Sequence, residues 1–360
     1  MKEKVSNILS KYVEVYGFVS TSNYLEKRKS LGIKDSFNFL GNLDNYKTII
    51  TLGISYPSEE LRYKGKGYGI LSRYSYNLDY HGVFKGILES ITKELTNGGI
   101  DSHASVDISD IDERYASYLA RMGFLGKNQF LINKEYGSYL YLATILIDKE
   151  IDEDKVTLDD CGDCTICIDA CPTSALDNGF NPHLCISSFS QEKRELSNKE
   201  IGHLKTMVYG CDICQKVCPK NTGINFKSHP EFEPSGIENI DLLQVLEMSN
   251  KEYNDIYKDN ASSWRGPLVI KRNALCLLGN QGVVNAIPII KKSMDKYSNV
   301  LWYNKTALKV INLLESKWLY ESCSFVSSRN TTKYWKYNEN LRSNWYGFTS
   351  NWTSWIQFRH

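Results

Sequence analysis

Ten cysteines occur in this 360-residue sequence, and eight of them fall between Cys161 and Pro219. The first run, Cys161-Gly-Asp-Cys164-Thr-Ile-Cys167-Ile-Asp-Ala-Cys171-Pro172, is C-x2-C-x2-C-x3-C-P, the spacing of bacterial iron–sulfur ligands. The second, Cys211-Asp-Ile-Cys214-Gln-Lys-Val-Cys218-Pro219, repeats its C-x2-C-x3-C-P ending, and Cys185 stands between them in place of the missing first cysteine. Three thiolates in C-x2-C-x2-C wrap a short loop around three irons of one cube. The cysteine before proline begins a new turn and serves the other cluster. That crossing assigns Cys161, Cys164, Cys167 and Cys218 to one [4Fe–4S] cluster and Cys171, Cys185, Cys211 and Cys214 to a second, close enough to pass electrons in line. Zinc sites use paired C-x2-C blocks with longer gaps and no C-P endings, and disulfide frameworks suit small secreted chains. Cys276 sits in an apolar helical stretch and reads as a packing thiol. Cys323 lies outside the pattern.

Three other stretches carry groups able to do chemistry. Asp79 reads as the N-cap of a helix whose apolar stripe is Val83, Phe84, Ile87, Leu88, Ile91 and Leu95. Tyr80 and His81 then fall in its first turn, where polar side chains and free N–H groups can meet a ligand. Asp107 closes a strand-like run, His103 to Ile108, just before a helix that Asp112 can cap. Strand ends of this kind commonly carry active groups, although capping is the ordinary role of an Asp there. In Gly126-Lys127-Asn128 to Asn133 and Gly137-Ser138, the glycines allow close approach to a bulky ligand and Lys127, Asn128 and Asn133 supply donors. The pattern is neither a phosphate-binding loop nor a dinucleotide fingerprint.

The elements that must position these groups divide the chain in four. Residues 1–150 read as an α/β domain, with a helix over Lys4 to Val15 and buried strands at Lys47 to Tyr56 and Ser138 to Ile147. Residues 151–230 form a ferredoxin-like two-cluster domain entered by an acidic linker. Residues 231–320 read as helices, with Pro267 at a helix start, and resemble one HEAT-like unit too short to stand alone. Residues 321–360 show no helical or strand period and read as an atypical, poorly ordered tail. The fold class is therefore mixed, α+β or α/β. The N-terminus lacks a signal peptide and no stretch approaches a membrane span, so a reducing cytoplasm is the expected setting.

The net charge of +1 hides an uneven distribution. Glu231 to Asp259 carries eight acidic and two basic residues, whereas Trp264 to Tyr320 carries nine basic residues against two acidic ones. A basic segment of that kind is either a phosphate-binding face or the solvated side of ordinary helices.

The eight-cysteine arrangement, Arg73-Tyr74 to Asp79-Tyr80-His81, Val106-Asp107, Gly126-Lys127-Asn128 to Tyr136-Gly137-Ser138, and Trp264-Arg265-Gly266 to Lys271-Arg272-Asn273-Ala274 together resemble the epoxyqueuosine reductase family. The likeness extends to about Tyr320. It implies reduction of epoxyqueuosine to queuosine in tRNA, with a base-off cobalamin held by the N-terminal domain beside the clusters. It also implies Asp107 as proton donor, with Tyr80, His81, Asp107, Gly126, Lys127, Asn128, Asn133, Gly137, Ser138, Ser187 and Ser188 around the corrin. Lys193, Arg194, Arg265, Lys271 and Arg272 would then hold anticodon-loop phosphates. The enzyme would work as a cytoplasmic monomer supplied by a low-potential electron donor, with no membrane partner.

To donate a proton at neutral pH, Asp107 needs a raised pKa, which burial in an apolar pocket provides. Two competing readings are a corrinoid reductive dehalogenase and a two-cluster electron carrier. The first would carry an export signal and work at a membrane. The second has no need of residues 1–150.

Overall fold

The computed structural model describes residues 1–31, 43–107 and 111–327. Met1–Leu314 packs as one compact unit, and of the second, Glu315–His360, the described part is the end of one helix. The tail expectation beyond residue 327 lies outside the described residues.

Helix α1 (Lys2–Leu9) buries Val5, Ile8 and Leu9, then stops six residues short of the expected end because Val15 already belongs to a strand. Strand β1 (Val15–Ser20) runs into α2 (Thr21–Ser30), where the Ser20 side chain accepts the Asn23 N–H as N-cap. The β-branched run around Ile49 forms β2 (Thr48–Ser55), buried along its whole length. After β3 (Tyr68–Leu71), helix α3 (Tyr80–Asn97) begins at Asp79, whose carboxylate accepts the His81 N–H, and ends at Gly98. Then come β4 (Ser102–Ser105), α4 (Glu113–Leu119) capped by Asp112, the short pair β5 (Phe124–Leu125) and β6 (Leu131–Ile132), and β7 (Leu140–Ile147).

The main sheet has the order β1-β2-β7-β4 with every pairing antiparallel. Its strands alternate. Ile50, Leu52 and Ile54 join Ala143, Ile145 and Ile147 on one face, against Val5 and Leu9 of α1 and Phe84, Leu88 and Ile91 of α3. Ile49 and Leu146 point the other way, toward Tyr24 of α2 and Ala116 of α4. A sheet covered on both faces needs apolar residues at consecutive positions, which explains the near-continuous apolar runs of β2 and β7. Because β4 pairs antiparallel, Asp107 does not sit at the carboxyl edge of a parallel sheet; that rule is not what places it.

The cluster region supplies α5 (Ile166–Asp169), α6 (Ile186–Phe189), α7 (Asn198–His203), β8 (Met207–Tyr209) and α8 (Ile213–Lys216). Beyond it lie β9 (Asn239–Asp241), α9 (Leu242–Glu247), α10 (Asn250–Tyr257), α11 (Pro267–Asn280), α12 (Ile287–Lys296) and α13 (Leu301–Ser327). Residues 321–327 are thus helix rather than aperiodic. Strand β3 pairs parallel with β8 and antiparallel with β9, so residues 68–71 stitch the N-terminal segment into the cluster and C-terminal segments. A large apolar core under these elements gathers Leu71, Phe189, Val208, Leu277, Tyr303 and Val310. Cys276 is fully buried within it, as a packing thiol should be.

Candidate active site

The cysteines fall into two groups. In the first, burial and then the charges of Cys218, Cys161 and Cys164 push up the Cys167 thiol. Cys218 and Cys161 also share a small apolar cluster with Phe124 and Ile132. In the second, burial pushes both Cys211 and Cys214 up to about 12; Cys185 and Cys171 add to the rise in each, and Cys211 and the first group's Cys167 also act on Cys214, so the two groups adjoin. Thiols raised in this way cannot ionise together unless a cation compensates, a charge that a metal cluster would supply. Among the described residues no three His, Cys, Asp or Glu side chains converge on a single metal position. A cube does not ask for that, because its four thiolates bind four different irons.

The spacing is realised by short turns. Cys167 lies in α5 and Cys214 in α8, each one turn of helix before a Cys-Pro pair that redirects the chain. Cys185 is the residue at the N-terminus of α6. Lys127 Nζ donates to the carbonyls of Gly162 (2.8 Å) and Cys164 (3.0 Å), tying down the first ligand loop. Asn128 Nδ2 donates to the Cys214 carbonyl at 3.2 Å.

A cavity of about 1000 Å³ lies against the second cysteine group. Cys171, Cys185, Cys211 and Cys214 line it, and so do Tyr80, His81, Asp107 and Glu113. Tyr80 stacks on Tyr141 of β7, with ring centroids 4.4 Å apart and planes 9° from parallel, and on His81 at 4.3 Å. Tyr56 also packs on Tyr141, with centroids 4.4 Å apart and planes tilted by 32°. Stacked on one another, these rings form a rigid aromatic block in the cavity lining.

A proton network also lines the cavity. His81 Nδ1 lies 2.7 Å from Asp79 Oδ1, and its Nε2 lies 3.0 Å from Asp107 Oδ2. The Tyr80 hydroxyl donates to the same Asp107 oxygen. Glu113 Oε1 accepts the Asp107 N–H at 2.8 Å. Hydrogen bonds to Asp107 and then Asp79 raise the His81 pKa to about 10, so its imidazole is protonated at neutral pH. For Asp107, burial pulls upward, but His81 and Tyr80 together outweigh it and the pKa ends below the ordinary carboxylate value. The expectation of a raised Asp107 is therefore corrected: burial is present, yet a cation and a phenol hold the carboxylate ionised. Glu113 is pushed the other way, up to about 8, by burial and then by the Asp107 charge, so it favours its protonated form at neutral pH.

Other expected contacts divide. Tyr80, His81, Asp107, Asn128, Ser138, Ser187 and Ser188 all line the cavity. Gly126, Lys127, Asn133 and Gly137 do not; they shape the loops behind it. Asn133 Nδ2 donates to the Met122 carbonyl at 2.5 Å and its Oδ1 accepts from the Glu135 and Tyr136 N–H groups. A side-chain carbon on Gly126 would meet Asn128 Oδ1 at 2.6 Å. Gly137 adopts φ 55° and would place one 2.3 Å from Asn221 Oδ1. That oxygen accepts the Ser138 N–H, while Asn221 Nδ2 donates to Ser138 Oγ.

The basic residues divide too. Lys193 and Arg265 are exposed. Lys271 and Arg272 are fully buried, so they cannot reach a phosphate. Lys271 Nζ donates to the Met248 carbonyl at 2.5 Å, and burial lowers its pKa to about 8. The Arg272 guanidinium donates to the carbonyls of Phe189, Ser190, Glu192 and Arg194. Arg194 is held by Glu192 and Glu200. Tyr56, Tyr141, Gln191, Gln215 and Glu113 also line the cavity and carry no motif that marks them in the sequence. Tyr141 is visible only as one inward position in an alternating strand. Glu113 looks like an ordinary first-turn acid of α4.

Two family descriptions match this chain: a 4Fe-4S double cluster binding domain over residues 160–221, and "Epoxyqueuosine reductase QueG, DUF1730" over residues 40–108. An epoxyqueuosine reductase of Lactococcus garvieae is 38% identical over 258 residues, covering 69% of this chain and 73% of the relative. That of Bacillus subtilis is 32% identical over 308 residues, covering 79% and 80%. Among solved structures, the epoxyqueuosine reductase from Streptococcus thermophilus superposes with a TM-score of 0.76 at 31% identity, over 87% of this chain and 90% of the other. An epoxyqueuosine reductase bound to an epoxyqueuosine-modified tRNA-Tyr stem loop gives 0.70 at 28% identity, over 87% and 98%.

Proposed function

The chain belongs to the epoxyqueuosine reductase family and is a reductase of epoxyqueuosine in tRNA, and we propose that electrons enter it through two [4Fe–4S] clusters and meet the epoxide in the cavity beside the second. Cys161, Cys164, Cys167 and Cys218 hold the first cluster; Cys171, Cys185, Cys211 and Cys214 hold the second. What carries the reading is that one cavity joins the second group of thiols to a hydrogen-bonded proton network.

The residues present fit a corrinoid. The cavity is large, the stacked Tyr80–Tyr141 rings make part of its lining rigid, and Asn128, Ser138, Ser187 and Ser188 offer polar atoms for amide side chains. Cobalamin bound there supplies the strongly reducing centre that the epoxide requires, fed by single electrons from the clusters. Turning an epoxide into an alkene and water consumes two electrons and two protons. The protein's part is to hold those protons near the departing oxygen. His81 stores one at Nε2 against Asp107, and Glu113 stores another beside it. Asp107, ionised at rest, holds no proton of its own; it accepts one from His81 or Glu113 and relays it to the substrate oxygen, leaving a neutral imidazole or a carboxylate behind. The Tyr80 hydroxyl keeps the carboxylate aimed, and the aromatic wall excludes water.

Functionally, residues 1–150 hold the corrinoid and the proton network, 151–230 the clusters, and 231–320 a HEAT-like surface for tRNA. The modified base must leave its stack to reach the cavity. Lys193 and Arg265 remain as phosphate contacts. Among the described residues no helix is long and apolar enough to cross a membrane. In this reading the enzyme is a cytoplasmic monomer supplied by a low-potential electron donor. The test is anaerobic reconstitution. The protein should take up about eight irons and one cobalamin per chain. Uptake of iron with no cobalamin would overturn the cofactor assignment.

A further inference from the structure

Trp264 stands out at the rim of the cavity. Its side chain is 55% exposed and also lines the cavity. It is held rigidly in that exposed position. Its indole N–H is shared between Tyr209 OH at 2.5 Å and Gln191 Oε1 at 3.2 Å. Tyr209 OH donates to Gln191 Oε1 at 3.0 Å, and Gln191 Nε2 donates to Tyr74 OH at 3.1 Å and to the Ser187 carbonyl at 2.9 Å.

The loop that carries Trp264 is lashed to the segment that starts α3. Asn260 Nδ2 donates to the carbonyls of Ser75 and Asn77, and the Asp79 N–H donates to the Asp259 carbonyl at 2.7 Å. The Arg265 guanidinium carbon lies 3.6 Å from the indole centroid, covering one face with a cation. An exposed indole fixed through its polar edge, beside the entrance that a base must use, is a surface for stacking.

We propose that the indole of Trp264 is a stacking platform for an anticodon-loop base that flanks epoxyqueuosine in the bound tRNA. The inference rests on the tRNA-reductase reading above. Withdrawing the modified base from its stack leaves a neighbour with one bare face. Trp264 replaces the lost stacking partner at the mouth of the cavity, and Arg265 adds charge on the far side of the ring. The contact is indifferent to base identity, because every base has a π-face. It adds affinity without narrowing sequence choice.

The test uses the reconstituted enzyme and an epoxyqueuosine-bearing stem loop, with iron and cobalamin content measured for each variant. Trp264→Ala should weaken stem-loop binding about tenfold. Trp264→Phe, which keeps a ring but loses the N–H anchor, should recover most of that loss. The slope of log Kd against log salt should not change, since no phosphate contact is removed. Stem loops made abasic at one flanking position or the other complete the cycle. At one flank, removing the base should weaken wild-type binding about tenfold and add nothing to Trp264→Ala. Three results would overturn the proposal: unchanged affinity in Trp264→Ala, equal loss in Trp264→Phe and Trp264→Ala, or full additivity at both flanks. Failure of the wild-type enzyme to turn over tRNA would instead strike the functional reading beneath it.

Discussion

Arg272→Lys separates two roles that sequence alone confuses. The guanidinium is fully buried and donates to the Glu192 carbonyl at 2.5 Å, Ser190 at 2.9 Å, Arg194 at 3.0 Å and Phe189 at 3.2 Å, and to Asn273 Oδ1. These carbonyls belong to the end of α6 and the turn after it, which carry Ser187, Ser188 and Gln191 to the cavity. An ammonium group is a point donor and cannot serve four carbonyls spread over six residues. The variant leaves two or more buried carbonyls unpaired, at about 1–3 kcal/mol each. The total loss should be about 3–5 kcal/mol, in the range for breaking a buried charged network. Differential scanning fluorimetry should show a Tm lower by roughly 5–10 °C. Turnover should fall because the α6 wall loosens, whereas the salt dependence of stem-loop binding should match wild type. If stability is untouched and the salt slope drops by about one phosphate, Arg272 contacts tRNA and its burial has been misjudged.

Further predictions concern the site itself. Asp107→Asn should keep both clusters and cobalamin yet lose turnover about 100-fold or more, and unchanged turnover would remove Asp107 from the mechanism. In wild type, kcat should decline as pH rises through about 8 and again through about 10, as Glu113 and then His81 lose their protons. Both folded pKa values lie above their unfolded ones, so stability should fall as pH rises from about 4.5 to about 8 through Glu113 and from about 6.5 to about 10 through His81. A kcat flat to pH 11 would contradict the proton assignment. Cys185→Ala should lower iron content by about four per chain, and full retention would break the ligand assignment. Gly137→Ala must strain a backbone at φ 55° and drive a carbon into Asn221 Oδ1. It should cost about 1–3 kcal/mol and loosen Ser138, and wild-type stability would refute the close-packing argument.

What was legible from sequence is what is local. The C-x2-C loops and their C-P endings are short-range patterns, so a double-cluster domain over residues 160–221 is readable from spacing; which distant cysteine completes each set rests on the crossing argument. Asp79 and Asp112 cap helices because capping needs only the next three residues. Burial and charge state are not local. Arg272 and Lys271 resemble surface cations until α11 is seen packed inside the core. The low pKa of Asp107 depends on His81, which lies on a different element. The pairing of β3 with β8 and β9 joins residues more than a hundred positions apart, and no periodicity announces it. Gly126 and Gly137 signalled close packing correctly, but against Asn128 and Asn221 rather than a ligand.

The most direct test of the account is anaerobic single-turnover reduction of epoxyqueuosine-containing tRNA. The enzyme would be reconstituted with iron, sulfide and cobalamin, and supplied with a low-potential chemical reductant. The account predicts one queuosine formed for every two electrons consumed, and none when either the clusters or cobalamin is withheld. Queuosine formed at the full rate without cobalamin would contradict it.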